Sequence, residues 1–268
     1  MANIKYADPS YTDTNATDDD RVMLRTGSGA DARAPLVQPK GYIDGLKMVY
    51  VSGTQIQVTA GAAYVPGPKR IAELAAATTL TPSLAASTWY HLFLTVSGAT
   101  VGVEAVTTAP GSPYSGTARA KTGDTSRRYI GSFRTNASSQ IMRFTHCLSS
   151  GDIRWGEVPG NAPLRILASG AATTSTDVSA SASSPLTTSS VFLRAVNTVS
   201  AGGPIAYIGS PVDGTAVAPG TNYTISVEAG KEFYTYMPLV SQNVKYIMST
   251  TPASGGLFLD VLGFQYDR

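Results

Sequence analysis

The sequence predicts an all-β fold, built as two antiparallel β-sandwich-like domains behind an extended N-terminal arm. Three observations lead there. Short runs rich in β-branched and aromatic residues recur every 8–15 residues or so, which is about the spacing of antiparallel strands and their turns. Glycine (26) and proline (16) punctuate those runs. No segment carries the 3.6-residue periodicity of a long helix over enough length to form one.

Residues 1–40 are polar, with an acidic cluster at Asp18, Asp19 and Asp20 and a Gly/Ala/Pro-rich stretch at 27–39. They alternate too little to build a core and are expected to form an extended arm that is ordered by docking on a neighbour. Asp13, Thr14 and Asn15 open like a calcium loop. Asp18 stands where that loop needs glycine, and Leu24 where it needs glutamate, so calcium is not expected.

A first domain is expected over 41–157. Strand patterns cover 46–51, 55–59 and 62–65, and Pro66-Gly67-Pro68 then turns the chain because proline fixes φ and donates nothing to a ladder. Residues 71–77 suit a helical turn or a strand, 78–80 a strand, and 89–96 and 101–107 a pair across Ser97-Gly98-Ala99. Residues 109–124, with Pro110, Gly111, Pro113 and Gly116, read as a loop. The segment 127–148 is the expected folding centre. Its runs 128–134 and 141–148 flank Asn136-Ala137-Ser138-Ser139, a hairpin signature, with 89–96 as the partner strand. Strict alternation would put Tyr129 and Phe133 on one face and Ile130 and Arg134 on the other. Residues 152–155 should close the domain.

A linker is expected over 158–185, holding one short strand at 164–168 and a stretch poor in bulky residues at 171–184. Residues 186–268 then carry six strand patterns, at 191–196, 204–208, 223–227, 232–237, 244–248 and 257–264, the density of a small sandwich.

Composition narrows the function. Only 14% of residues are charged and the net charge is +2, so no global field draws nucleic acid or an anionic membrane. A surface so poor in charge suits a protein buried between subunits or one that is rigid and inert. One cysteine, Cys147, excludes an internal disulfide, and its strand-like setting reads as a small buried hydrophobe. No apolar run reaches the ~20 residues needed to cross a bilayer. The first residues lack the pattern of a secretion signal, so the protein is expected to stay where it is made unless carried out within something larger.

Catalytic signatures are missing. Gly-x-Ser-x-Gly, the phosphate-cradling Gly-x-x-x-x-Gly-Lys and His-Glu-x-x-His do not occur. His91 and His146 would approach each other if their strands paired, but neither strand holds a carboxylate, so packed histidines are the expectation and no cofactor or metal is predicted. Two groups remain as contact candidates. Arg127 and Arg128 lie in a basic stretch with Arg119, Lys121, Arg134 and Arg143, although alternation turns the first two to opposite faces. Tyr234 and Tyr236, with Tyr207 and Tyr223, form a tyrosine-rich group, and tyrosine buries area at little entropic cost.

The run Thr88-Trp89-Tyr90-His91-Leu92-Phe93-Leu94, then 107–113, Lys121-Thr122-Gly123-Asp124 and Arg127-Arg128-Tyr129-Ile130-Gly131-Ser132-Phe133, resembles β-rich modules of tailed-bacteriophage tail fibre and related virion proteins. The C-terminal part (191–198, 205–209, Ala218-Pro219-Gly220 and 244–248) looks like a small sandwich recurring in phage structural proteins. The resemblance covers residues 41–268. It implies a homotrimer, attachment to other virion proteins through the arm with Asp18–Asp20, binding to a host surface glycan or protein, and a place in the virion. It implies no catalytic residues. The long repetitive shaft of many fibres is missing, which leaves a short receptor-binding or baseplate protein or a head decoration protein. Apart from the resemblance, a glycan-cleaving tail enzyme is the remaining alternative, and the protein is not expected to be an enzyme.

Overall fold

The computed structural model describes residues 38–147, 151–211 and 213–268, together with the strand backbone at 21–25 and 31–35. The candidate docking residues Asp18, Asp19 and Asp20 lie outside the described residues.

The elements in chain order are β1 (Arg21–Arg25), β2 (Asp31–Pro35), β3 (Ile43–Gly45), β4 (Met48–Ser52), β5 (Gln55–Val58), β6 (Gly61–Val65), β7 (Arg70–Leu74) and β8 (Thr78–Leu80). Next come β9 (Trp89–Ser97), β10 (Thr100–Val106), β11 (Pro110–Ser115), β12 (Ala118–Lys121), β13 (Asp124–Arg134), β14 (Phe144–His146) and β15 (Ile153–Trp155). The chain ends with β16 (Arg165–Gly170), β17 (Thr176–Ser179), β18 (Thr188–Asn197), β19 (Ala206–Gly209), β20 (Ile225–Val227), β21 (Glu232–Pro238), β22 (Asn243–Met248) and β23 (Leu257–Tyr266). Every strand pairing is antiparallel, and no helix occurs among the described residues. The all-β expectation is met.

Five strands in the order β10-β9-β13-β12-β11 form the central sheet of the first half, next to two three-stranded sheets, β3-β6-β7 and β4-β5-β8. In the second half, β14-β15-β23-β18-β21 make one sheet, with β16 also pairing β23, and β17-β22-β19-β20 make another. Their inward residues, including Val191, Leu193, Ala195, Leu259, Val261, Ile208, Val244 and Met248, are buried in one hydrophobic cluster that also takes in Leu46, Leu92 and Ile130. Burying that apolar surface is the main drive for folding.

Several expectations change. The strand 89–96 does pair with 124–134, as predicted, but the hairpin's second arm leaves at once. Thr135 bridges Ile141, and then β14 pairs β15. A bulge between Tyr129 and Gly131 breaks the alternation along β13. An extra residue turns the following side chains over, so Tyr129 stands opposite Phe93 while Phe133 stands opposite Tyr90, on the other face. The stretch 109–124 is no loop. Its prolines are accommodated in β11 because β11 is an edge strand, where a missing N–H costs no ladder bond. Residues 71–77 begin as strand, in β7.

The predicted boundary at 157 does not follow the sheets. Ile153 and Arg154 pair with Phe264 and Gly263 of β23, so the end of the first half is built into the C-terminal sheet. The predicted linker 158–185 contributes β16 and β17 to the two sheets of the second half. The chain end returns the exchange. Tyr266 donates to the Ile130 carbonyl (3.2 Å), and Arg268 to the carbonyls of Gly45 (3.1 Å) and Leu46 (3.2 Å). Tyr129, 0% exposed, hydrogen-bonds through its hydroxyl to both Ser132 and Thr187, at 2.8 Å each.

Candidate functional site

The outward face of the sheet β14-β15-β23-β18-β21 brings exposed tyrosines together with paired charges. Strand alternation creates it. Along β18, Val191, Leu193 and Ala195 are buried, which turns Phe192 and Arg194 outward. On β21, Tyr234 and Tyr236 take the matching outward positions, opposite Arg194 and Phe192. Since β21 is the outermost strand of its sheet, these rings stay open, with Tyr234 at 47% and Tyr236 at 39% exposure.

Register then sets two parallel rows across four strands. The first is Arg154, Gly263, Phe192, Tyr236. Gly263 has no side chain, and a Cβ there would meet Arg154 Cδ at 2.9 Å. That gap lets the guanidinium cross to sit 4.0 Å from the Phe192 ring centroid and 5.1 Å from that of Tyr236. Planar guanidinium over an aromatic face is favourable for charge and for stacking. The Tyr236 hydroxyl donates to Asp152 Oδ2 and accepts from Arg154 Nη2. Burial, with help from the Asp152 bond, pushes the Tyr236 hydroxyl above its usual range.

The second row is Arg165, Asp260, Arg194, Tyr234. Asp260 is 0% exposed and takes both Arg165 (Nε to Oδ1, 2.8 Å; Nη2 to Oδ2, 3.0 Å) and Arg194 (Nη1 to Oδ2, 3.1 Å). Arg194 also donates to Glu232 Oε2 at 2.7 Å, and the Tyr234 hydroxyl donates to Glu232 Oε1 at 2.8 Å. Those bonds hold the Glu232 carboxyl below the usual carboxylate range and keep Arg194 above its own. The face therefore has charges that are paired with one another, Asp152 Oδ1 alone of these carboxylate oxygens being buried without a partner among the described residues, and rings that are fixed in place. It suits stacking on a flat apolar ring with hydrogen bonds at its rim.

The other candidate residues do not gather here. Tyr207 on β19 meets Tyr223, from the loop before β20, edge to face with ring centroids 5.0 Å apart. Arg127 is held by Glu104 (3.4 Å) and Asp124 (3.8 Å) at the far end of β13. Arg128 is a correction to the surface expectation: alternation turns it into the core, where it is 0% exposed, 5.6 Å from the Tyr114 ring, with Nε and Nη2 unpartnered among the described residues. Cys147 sits half-buried just past β14.

The two histidines end in different sheets, β9 and β14. His91 Nδ1 shares a hydrogen bond with Ser132 Oγ (2.7 Å), a spacing that suits a nucleophile and its base. Yet Ser132 is 1% exposed and bonded to Tyr129, so no substrate reaches it. His146 Nδ1 accepts from the Met48 amide (3.1 Å). Burial pushes the imidazoles down to about 4 for His91 and about 3 for His146, leaving both neutral near pH 7. No cluster of three or more His, Cys, Asp or Glu able to hold a metal occurs among the described residues.

Sequence reasoning found Tyr234 and Tyr236 but missed Phe192, Arg194, Arg154 and Arg165. The first two were legible as the outward positions of an alternating strand. The other two arrive from strands whose register the sequence does not specify. No protein-family model, curated protein or solved structure matches the chain.

Proposed function

We propose that this protein is a structural, host-attachment component of a tailed-bacteriophage virion, associated with the tail fibre or baseplate, and that it acts by binding and not by catalysis. In this reading two sandwich-like units form the body, the N-terminal arm docks on other virion proteins, and copies associate as a homotrimer. The observation that carries the binding role is the pair of rows on the β21 face, Arg154–Phe192–Tyr236 and Arg165–Asp260–Arg194–Tyr234. Fixed aromatic faces with hydrogen-bonding rims suit the ring of a host surface glycan, and presentation in several copies multiplies a weak contact. The unpaired outer edge of β21, with Phe233 46% exposed beside the tyrosines, supports association, because an open apolar edge invites a partner strand.

The test is binding of fluorescently labelled protein to susceptible bacteria, alongside light scattering of the purified protein at micromolar concentration. Tyr234→Ala and Phe192→Ala should each lower cell binding at least ~10-fold, with thermal melts close to the parent. Labelled protein that coats phage heads and ignores cells, or a strictly monomeric protein, would overturn the reading.

A further inference from the structure

A cavity of about 460 Å³ lies on the first half of the molecule, lined by Tyr50, Gly53, Asn136, Gln140, Ile141, Arg143 and Glu157. Three chain segments build it, and backbone bonds fix them to one another. The Ile141 amide donates to the Gly53 carbonyl (2.8 Å), and the Asn136 amide to the Gln140 carbonyl (2.8 Å). The Arg143 amide donates to Glu157 Oε1 (2.8 Å), which draws the chain after β15 against the turn. Tyr50 is held edge-on against Phe144 (6.3 Å, 76°), so its ring is set rather than free to rotate away.

The polar groups around the space divide into used and unused. Asn136 Oδ1 is occupied by the amides of Ser138 (2.9 Å) and Gln140 (3.0 Å), which also takes those amides away from any anion. Asn136 Nδ2, the Gln140 side-chain amide, the Arg143 guanidinium, Glu157 Oε2 and the Tyr50 hydroxyl make no hydrogen bond among the described residues; Gln140 and Arg143 are exposed and the other three half-buried, so these groups face water and are open to a ligand. Arginine and glutamate cancel in charge. A phosphate would meet the Glu157 carboxylate, while a purely apolar ligand would take water from these side chains and return no hydrogen bond. A neutral ring with adjacent hydroxyls fits both needs. Its hydroxyls accept from Arg143 and Asn136 and donate to Glu157, and its C–H face lies on Tyr50.

We propose that this cavity is a binding site for one pyranose residue, separate from the β21 face and not dependent on it. Free sugar and a chain-end residue of a polysaccharide share this chemistry, and the free sugar and its methyl glycoside distinguish them.

The experiment is saturation-transfer NMR and calorimetry of the full chain with glucose, galactose, mannose and N-acetylglucosamine, each also as its methyl α- and β-glycoside, and with inorganic phosphate as a control. At least one pyranose is expected to bind in the millimolar range. Arg143→Ala and Glu157→Gln should each weaken it by ~10-fold, and Tyr50→Ala more than Tyr50→Phe, while Tyr234→Ala leaves it unchanged. Equal binding of the methyl glycoside would assign a chain-end residue, and its rejection a free reducing sugar. No binding by any pyranose, binding of phosphate in preference, or loss through Tyr234→Ala in place of Arg143→Ala would overturn the proposal. Failure of cell binding by the Tyr234 variant, with sugar binding here intact, bears on the β21 face alone.

Discussion

Arg194 Nη1 donates to the Oδ2 of Asp260 at 3.1 Å, across the neighbouring strands β18 and β23, and that carboxylate has no surface of its own exposed. Arg165 completes the shell from β16 with two further bonds. A buried carboxylate is tolerated only when such partners replace the water it lost.

Replacing Asp260 with alanine leaves two guanidinium groups without their shared acceptor. Both are about a quarter exposed, so water recovers part of the loss. A destabilisation of about 2 kcal/mol is expected, below the ~3–5 kcal/mol of a fully buried pair. In a chain of this size that lowers Tm by roughly 4–8 °C. Asp260→Asn should fall between the parent and alanine in a thermal melt, and an unchanged Tm for Asp260→Ala would contradict the arrangement.

His91 and His146 make stability depend on pH. Their folded-state values, about 4 and about 3, lie below the usual 6.5 of an unfolded chain. Between those limits the unfolded chain binds more protons, so stability rises with pH there and is lost as pH falls from 6.5 toward 4. At ~1.4 kcal/mol per unit, His91 alone accounts for up to about 3 kcal/mol of that loss. Urea midpoints at pH 7, 5.5 and 4 measure it. The His91→Asn variant should show a shallower fall than the parent.

Arg128 is buried with two guanidinium nitrogens unpartnered, and burial draws its pKa down. One bond to the Arg119 carbonyl (3.2 Å) and the Tyr114 ring offset only part of the desolvation. Arg128→Met keeps much of the volume and removes the charge. It should be neutral or stabilising by about 1 kcal/mol, as replacing buried charge by packed apolar groups often is. A loss above about 2 kcal/mol by urea unfolding would show that the cation is needed.

The pairing of β15 with β23 predicts that the halves do not fold apart. Residues 41–157 expressed alone lose the strand that covers Ile153 and Arg154 and the Tyr266 ring that meets Tyr129 (6.2 Å). That fragment should give collapsed amide dispersion in NMR, while the whole chain unfolds in one transition. A well-dispersed spectrum from the fragment would show that the first half stands on its own.

The local grammar was legible. Trp89 to Val96 read as a central strand because of its β-branched and aromatic content, and it is one, paired with β13 and β10. Pro110 and Pro113 read as loop because proline donates no ladder bond, and they sit in a strand because that strand lies at an edge. Tyr129 and Phe133 read as neighbours on one face until a single bulged residue separated them. Arg128 read as a surface cation since composition carries no sign of which face is covered.

The sequence by itself determined the class of structure: strand-forming residues, turn residues and alternation act over a few positions, so they can be read one segment at a time. It also marked Tyr234 and Tyr236 as contact candidates within a tyrosine-rich group. Only the tertiary structure decided what stands beside them. Arg154 reaches Phe192 across Gly263, and Arg165 meets Arg194 through Asp260, because residues 66 to 109 positions apart in the chain pair in one register. Register depends on packing the whole core at once, and a slip of one residue would turn every one of those side chains to the other face.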